Sequence, residues 1–450
     1  MTELSTSAQR AVAAAQTAGA VAAEAFASRD SGREVRVHGG EVESLTAATQ
    51  SGIGVRAWIG HRVGYAYGTD FSDAGVEEIA TRAAAAAAVA DEDEFAAPPG
   101  PAEVEAIAGL SDPGIAAASA DEVAAIALTV ERTALAADPR IAGVEQAVYA
   151  DSSEQVAIAS STGLAGEYET SSCFAYLQAL AEGDGARETG LGFGLARGPE
   201  DLDAEAIGAE GAERALAMIG AGKPSSRSCP VVFDPTVAAS FAGLIGGTLA
   251  ASAVQRGRSP FAGRLGDELA SPALVLHDDG RDPEGAGSAP FDGEGVPRRR
   301  TALLEGGRLQ AYLYDTYTAN REGGTSTGNA ARSGYRSLPS VSASNLVVAA
   351  GELSLAGLLA EAGEGVYVTD VAGLHSGVNP VTGVFSVGAS GRTISGGELA
   401  EPVREFTIAG DLVALLGQVK AAGSEARWVP FGGSVKTPPL LIGELSISGS

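Results

Sequence analysis

The 450-residue chain carries 30 Lys and Arg against 57 Asp and Glu, a formal net charge of -27 at pH 7. Binding a phosphate backbone requires cations that neutralise it, so this balance, with no basic cluster larger than Arg298-Arg299-Arg300, argues against nucleic acid and anionic membrane surfaces as partners and in favour of solubility. The length suffices for two or three domains, and with aromatics at only 5% their cores must rely on alanine and small aliphatic side chains.

The first segment, 5–27, reads as an amphipathic helix. It lacks the positive n-region of a signal peptide, and Gln16 and Glu24 interrupt its apolar run, so a cytoplasmic protein is expected. Strands are expected at 34–38, 42–48, 53–59 and 63–67, with turns at Gly39-Gly40 and Gly60-His61. Asp73 stands where it would cap an alanine-rich helix that fades in the acidic run 91–94. Pro98, Pro99, Pro101 and Pro113 then mark 98–114 as an extended linker. A second block follows, with a helix at 121–137, strands at 141–150, 155–160 and 164–181, and a helix at 203–220. Segments 33–58 and 142–170 can be laid side by side, which raises a structural duplication.

Cys173 and Cys229 show no Cys-x-x-Cys or Cys/His spacing, so neither a disulfide framework nor a cysteine-rich metal site is expected, and a reducing compartment fits. The run 235–255 is free of charge and contains a Gly-x-x-x-Gly pair at Gly243 and Gly247. Its Ser, Thr, Gly and Ala content and the lack of a basic N-terminal flank predict a buried helix packed through small residues, not a bilayer span. Beyond Pro224 short strands are expected at 231–233, 301–305, 308–313, 345–349, 365–370, 383–389 and 440–448, with helices at 355–361 and 412–421. The expected fold class is α+β. Two helix/antiparallel-strand/helix blocks (1–97 and 115–224) precede a mostly antiparallel mixed β domain with a few helices (225–450).

Hydrolytic zinc needs clustered histidines and a carboxylate that activates water, yet the four histidines, His38, His61, His277 and His375, are scattered. Gly324 to Gly328 matches Gly-x-Ser-x-Gly, and Asp370 and His375 follow Ser326 in the order of an α/β-hydrolase. The flanks predict neither the strand that should enter such an elbow nor the helix that should leave it, so an independent serine hydrolase is the weaker alternative. Asp278, Asp279, Asp292 and Glu294 could supply oxygens to a hard cation, but their spacing matches no EF-hand, and Asp/Gly loops are commonly turns. The loop 324–329 lacks the Gly-Lys-Ser/Thr ending of a phosphate loop, though its backbone could pair with an extended peptide.

Taken together, the blocks FAGRLGDELASPALVLHDDG, GSAPFDGEGVPRRRTALLEGGRLQAYLYD, STGNAAR and GVYVTDVAGLHSGVNPVTGVFSVGASGRTISGGE, with SGIGVRAWIGHRVGYAYGTDFS in the first half, resemble successive signatures of the TldD/PmbA family, once called modulators of DNA gyrase. The resemblance implies a heterodimer of two similar chains, TldD and TldE (PmbA), forming a metalloprotease for small or unfolded peptides. In it TldD supplies a His-Glu-x-x-x-His helix and a C-terminal cysteine ligand. Counted back without gaps from FAGRLGDE, that hexapeptide falls on residues 242–247, where the ligand positions hold Ala242 and Gly247 and the base position holds Gly243. Near Trp428, where the cysteine would fall, EARWVPFGGSVKTPP has none.

Both departures resemble the TldE/PmbA branch. They imply a chain with no catalytic group, metal or cofactor of its own, zinc being expected on a TldD-like partner. Asp292, Glu294, Arg321, Thr327, Asn329 and Arg332 are the expected substrate or partner contacts, with Arg321 and Arg332 as carboxylate binders. A homodimeric binding or scaffold protein without peptidase activity is the alternative of a different class.

Overall fold

Elements that would be marginal alone are held together by strand pairing and by alanine faces that let helices lie close to sheets. The computed structural model describes residues 2–449. Its first half runs α1 (Glu3–Thr17), β1 (Ala22–His38), β2 (Glu41–Ile59), β3 (Arg62–Gly68), α2 (Asp73–Val89), a single turn α3 (Gly114–Ala117), α4 (Ala120–Ala137), β4 (Ile141–Ser160), β5 (Ala165–Gly183), β6 (Ala186–Ala196) and α5 (Ala204–Leu216). The order helix, three strands, helix therefore occurs twice. Both sets of strands join one six-stranded antiparallel sheet, β3-β2-β1-β4-β5-β6, in which β1 and β4 are the central pair.

Side chains on β1 alternate between the two faces of this sheet. Ala23, Ala25 and Ala27 pack under α1 and α2 with Ile53, Val55 and Ala57 of β2, and Val35 and Val37 pack under α4 and α5. The opposite face carries Glu24, Phe26, Arg56 and Trp58 towards the C-terminal half, where Phe26 joins Phe291 and Tyr335.

The second half runs β7 (Arg227–Phe233), α6 (Pro235–Thr248), α7 (Ala251–Gln255), β8 (Leu276–Asp279), β9 (Arg300–Glu305), β10 (Arg308–Leu309), α8 (Thr316–Arg321), β11 (Ala330–Ala331), β12 (Ser340–Val341), β13 (Leu346–Val348), α9 (Leu355–Ala362) and β14 (Gly365–Ala372). It continues through α10 (Leu374–Gly377), β15 (Val384–Ser395), β16 (Glu398–Asp411), α11 (Leu412–Gly417), β17 (Val419–Ala422), β18 (Arg427–Val429), β19 (Val435–Thr437) and β20 (Leu440–Ser448). Two further six-stranded sheets result, β10-β9-β8-β13-β19-β18 and β16-β15-β14-β7-β20-β17, with a small two-stranded sheet β11-β12, and β16 also pairs with β20. Most pairings are antiparallel; β13 with β19 and β7 with β14 are parallel. The protein is α+β throughout.

Helix α6 lies between these two sheets, touching β7 and β14 on one side and β13, β18 and β19 on the other. Phe241 stacks on Phe233 at 5.2 Å and meets Phe385 edge-on at 5.1 Å. A charge here would have no water and no partner, which accounts for the uncharged run. The run is interrupted at Leu249-Ala250, and no helix among the described residues is long and apolar enough to cross a membrane.

Three local expectations are corrected. The first helix ends at Thr17, with Gly19 at φ +101°, and 22–27 is strand, because pairing on both sides outweighs alanine's helix preference. Ser72, not Asp73, is the N-cap of α2. Strand β6 was not anticipated because Gly190, Gly192 and Gly194 weaken its pattern; a Cβ at Gly190 or Gly192 would stand 2.2 Å or 2.1 Å from the backbone of α5, so those glycines let the helix settle onto the sheet.

Candidate functional site

Asp234 caps α6 by accepting from the Thr236 N–H, with Pro235 in the first turn, and its carboxylate also accepts from the Tyr367 hydroxyl at 2.6 Å. The start of the helix is therefore fixed to β14. Val237, Ala238, Phe241, Ala242 and Ile245 face the core, while Ser240, Gly243 and Gly247 lie on the outer side. Ala242 thus points away from any outer-face site, and Gly247 is open to solvent with nothing near its missing Cβ.

Gly243 is covered by backbone. The Gly432 carbonyl, in the loop between β18 and β19, would stand 2.3 Å from a Cβ at position 243. Gly432 itself has φ +84°, and its own Cβ would lie 2.9 Å from the Ala239 carbonyl. The segment expected to match the metal-binding hexapeptide and the one expected to match the cysteine ligand therefore touch, and both are bare. Zinc needs three or four N, S or carboxylate donors. Alanine and glycine supply none, and among the described residues no three His, Cys, Asp or Glu are grouped to hold a metal. Cys173 and Cys229 are buried free thiols, the former pushed up to about 12 by burial. These residues do not fit a zinc site.

The loops of 274–332 are knitted inward. Asp278, fully buried, accepts from Ser344 N and Oγ, both at 2.7 Å, from Asn345 N at 2.9 Å and from Asn329 Nδ2 at 2.7 Å. Asp292 accepts from the N–H groups of Glu294, Val296 and Ala330. Burial, then the neighbouring Glu294 charge, pushes its pKa up. Glu294 accepts from Arg56 and from Thr316 N, both at 2.9 Å. Its burial is outweighed by the Arg56 cation and these hydrogen bonds, so its pKa falls.

Arg56 also pairs with Glu24 at 2.6 Å. Arg332 pairs with the other Glu24 oxygen, donates to the Gly293 and Ser337 carbonyls, and lies 5.1 Å from the centre of the Phe26 ring. Two guanidiniums and two carboxylates thus form a buried network joining the N-terminal sheet to the C-terminal loops. Thr327 donates to Asn329 Oδ1 at 2.7 Å.

Five of the six expected contact residues, Asp292, Glu294, Thr327, Asn329 and Arg332, therefore have internal partners, and the acids are occupied by backbone and arginine donors rather than arranged around a cation. Arg321 is exposed, its guanidinium 5.9 Å from the Phe95 ring centre. The Ser326 hydroxyl bonds to the Tyr314 carbonyl and the Gly328 N–H; it has no hydrogen bond to His375, so the serine-hydrolase arrangement is not formed.

Two of the cavities that open on the surface lie beside these elements, and sequence reasoning missed both. One, about 460 Å³, lies where β5 and β6 meet the β18–β19 loop, with Leu195, Ala196, Trp428, Val429 and Pro430 as an apolar wall beside the Gly432 contact. Glu284, at its edge, bonds Lys436 and Trp428 Nε1. The other, about 320 Å³, is lined by charged and apolar side chains together and lies between β2, α7, α8 and residues 338–341. The chain has two tryptophans, and each lines one cavity; their scarcity was the one available signal.

Comparison with known proteins places these features in a lineage. Three family profiles match in succession: PmbA/TldA metallopeptidase domain 1 over residues 23–87, the central domain over 113–219 and the C-terminal domain over 226–449. Metalloprotease PmbA of Escherichia coli O157:H7 is 28% identical, covering 95% of this chain and 92% of that protein. The metalloprotease TldD homolog of Haemophilus influenzae is 26% identical, covering 89% and 87%. Among solved structures, a Thermotoga maritima protein described as a candidate modulator of a DNA gyrase superposes with a TM-score of 0.90 at 28% identity, covering 98% and 99% of the two chains. TldE from Thermococcus kodakarensis has the same fold, with a TM-score of 0.90 at 24% identity over 98% and 100%.

Proposed function

This chain belongs to the PmbA/TldD metallopeptidase family, and we propose that within it the chain is the non-catalytic, TldE/PmbA-like subunit of a two-chain zinc metalloprotease acting on small or unfolded peptides in the cytoplasm. The observation that carries this reading is the Gly432 carbonyl seated on Gly243. The position of the general base is not merely vacant of a carboxylate; it is covered by main chain, and the ligand positions on either side offer a methyl group facing the core and a bare glycine.

Zinc on a TldD-like partner would supply the activated water. The role of this chain is to bound the chamber and hold the peptide. The apolar cleft along Leu195, Trp428 and Pro430, bounded by the β18–β19 loop whose Gly432 covers Gly243, is a surface suited to an extended segment with apolar side chains. The buried Arg56–Glu24–Arg332 network fixes the 292–297 and 327–332 loops, so the expected contact residues act by positioning backbone. Arg321 remains the candidate for direct contact with a carboxylate.

Co-purification with a chain carrying His-Glu-x-x-x-His, followed by a peptide-cleavage assay, tests the reading. The complex should cleave and this chain alone should not. Full activity from the partner alone, or a stable homodimer that ignores the partner, would favour the scaffold alternative.

A further inference from the structure

The apolar cleft has one wall that strand pairing alone holds poorly. Leu195, Ala196 and Arg197, at the end of β6 in the N-terminal sheet, form one side, and Trp428, Val429 and Pro430, on and just after β18, form the other. β18 is three residues long, stands at the edge of its sheet and pairs only with β19, itself three residues. So short an edge strand needs side-chain tethers to keep a fixed distance from β6.

Two tethers are present. Trp428 Nε1 lies 3.4 Å from Glu284, which also takes Lys436 at 2.7 Å, but the Glu284 side chain is 64% exposed, and a contact of this kind holds weakly. Neighbouring side chains on a strand point to opposite faces, so Arg427 leads the other way. It donates from Nη1 to Glu210 Oε1 at 2.6 Å and from Nη2 to Glu210 Oε2 at 3.3 Å, a two-pronged pairing that fixes orientation as well as distance. Its Nη2 also donates to the Phe193 carbonyl at 3.1 Å, and the guanidinium lies 4.2 Å from the Phe193 ring centre. Glu210 is on α5, the helix that settles onto β6, so the pair spans the elements of both walls. Arg214, one turn further along α5, holds the Glu210 carboxylate from the side at 3.0 Å and reaches Asp234, the cap of α6, at 3.3 Å.

We propose that Glu210 is a positioning residue of this cleft: through Arg427 it sets the distance of Trp428 from Leu195, and with it the capture of an extended peptide. The assignment rests on the peptide-holding role proposed above. Glu210 acts through Arg427 and not on the reacting atoms, so its removal weakens binding and leaves the partner's chemical step alone. Either side chain can be cut without orphaning the other. Arg427, with a side chain 36% exposed, keeps the Phe193 carbonyl and reaches water, and Glu210 keeps Arg214. Glu188 and Arg404 form a matched control: this pair also joins β6 to the C-terminal half at 2.6 Å, its arginine is likewise 36% exposed, and neither residue lines the cleft.

The test is steady-state cleavage of β-casein, an unfolded protein, by the two-chain complex, with acrylamide quenching of tryptophan fluorescence on this chain alone. Trp58 is 2% exposed and shielded, so quenching reports Trp428. Glu210→Ala should raise KM at least about fivefold with kcat unchanged within about twofold, the signature of lost uniform binding, and should increase quenching. Arg427→Met should do the same, and the double variant should add nothing further, because both cuts remove one contact. Glu188→Ala should change neither readout. An unchanged KM for Glu210→Ala, a fall in kcat in place of the rise in KM, or an equal rise in KM for Glu188→Ala would overturn the proposal. Unchanged quenching in Glu210→Ala overturns it as well and leaves the subunit role standing. An unmodified complex that cleaves nothing sinks the subunit role instead, and quenching then decides whether Glu210 holds Trp428.

Discussion

The carbonyl oxygen of Gly432 stands against the bare Cα of Gly243, where a methyl group would be 2.3 Å from it. Two glycines from segments far apart in sequence thereby close the outer face of α6 with main chain. Gly243→Ala should destabilise the protein by about 1–3 kcal/mol despite alanine's better helix propensity, because the helix or the loop must move. Gly247→Ala, four residues on with open space around it, should be neutral or stabilising by up to about 1 kcal/mol. Urea unfolding of the two variants distinguishes a covered position from an open one.

Restoring the motif should not restore the metal. The triple variant Ala242→His, Gly243→Glu, Gly247→His places one imidazole towards the core and a carboxylate under the Gly432 loop, so elemental analysis after dialysis should find well under one zinc per chain. Stoichiometric zinc would mean that the loop yields readily.

The network across the two halves predicts a large penalty for a single cut. Glu24 is 1% exposed and holds both Arg56 and Arg332; removing it leaves Arg56 with Glu294 alone and the buried Arg332 guanidinium with no carboxylate. Glu24→Ala should cost about 3–5 kcal/mol, whereas Glu34→Ala, which breaks an exposed pair with Arg36, should change stability by less than about 1 kcal/mol.

How much of this was legible in the sequence depended on whether a signal was local. Gly39-Gly40 and Gly60 mark their turns, at φ +64°, +78° and +62°, because a hairpin's twist demands positive φ from adjacent residues. The blank at 242–247 was legible as an absence of chemistry. The buried roles of Asp292, Glu294, Asn329 and Arg332 were not, since a charged side chain reads the same whether its partner is a ligand or Arg56, which is 238 positions from Glu294. The cavities were illegible for the same reason: Trp58, Gln255, Tyr317 and Leu338 meet only after the sheet of the first half packs on the loops of the second.

Asp30 and Glu154 sit directly opposite each other on β1 and β4, and burial together with the Asp30 charge pushes the Glu154 pKa up to about 7. A carboxyl whose folded pKa exceeds its unfolded value binds protons more tightly in the native state, so its contribution to stability is greatest in acid. That contribution falls as pH rises from about 4.5 to about 7 and is flat above. Glu154→Gln should remove this decline, gaining up to about 2 kcal/mol relative to the unmodified chain at pH 8 compared with pH 5. Parallel stability–pH curves for the two proteins would refute the raised Glu154 pKa.

The central claim is that the chain serves a metallopeptidase without performing its chemistry. The most direct measurement is peptide hydrolysis and zinc content for this chain, for its His-Glu-x-x-x-His partner, and for the purified complex of the two. The account predicts about one zinc per heterodimer, all of it on the partner, and cleavage only by the complex. Zinc-dependent cleavage by this chain alone, or undiminished cleavage by the partner alone, would contradict it.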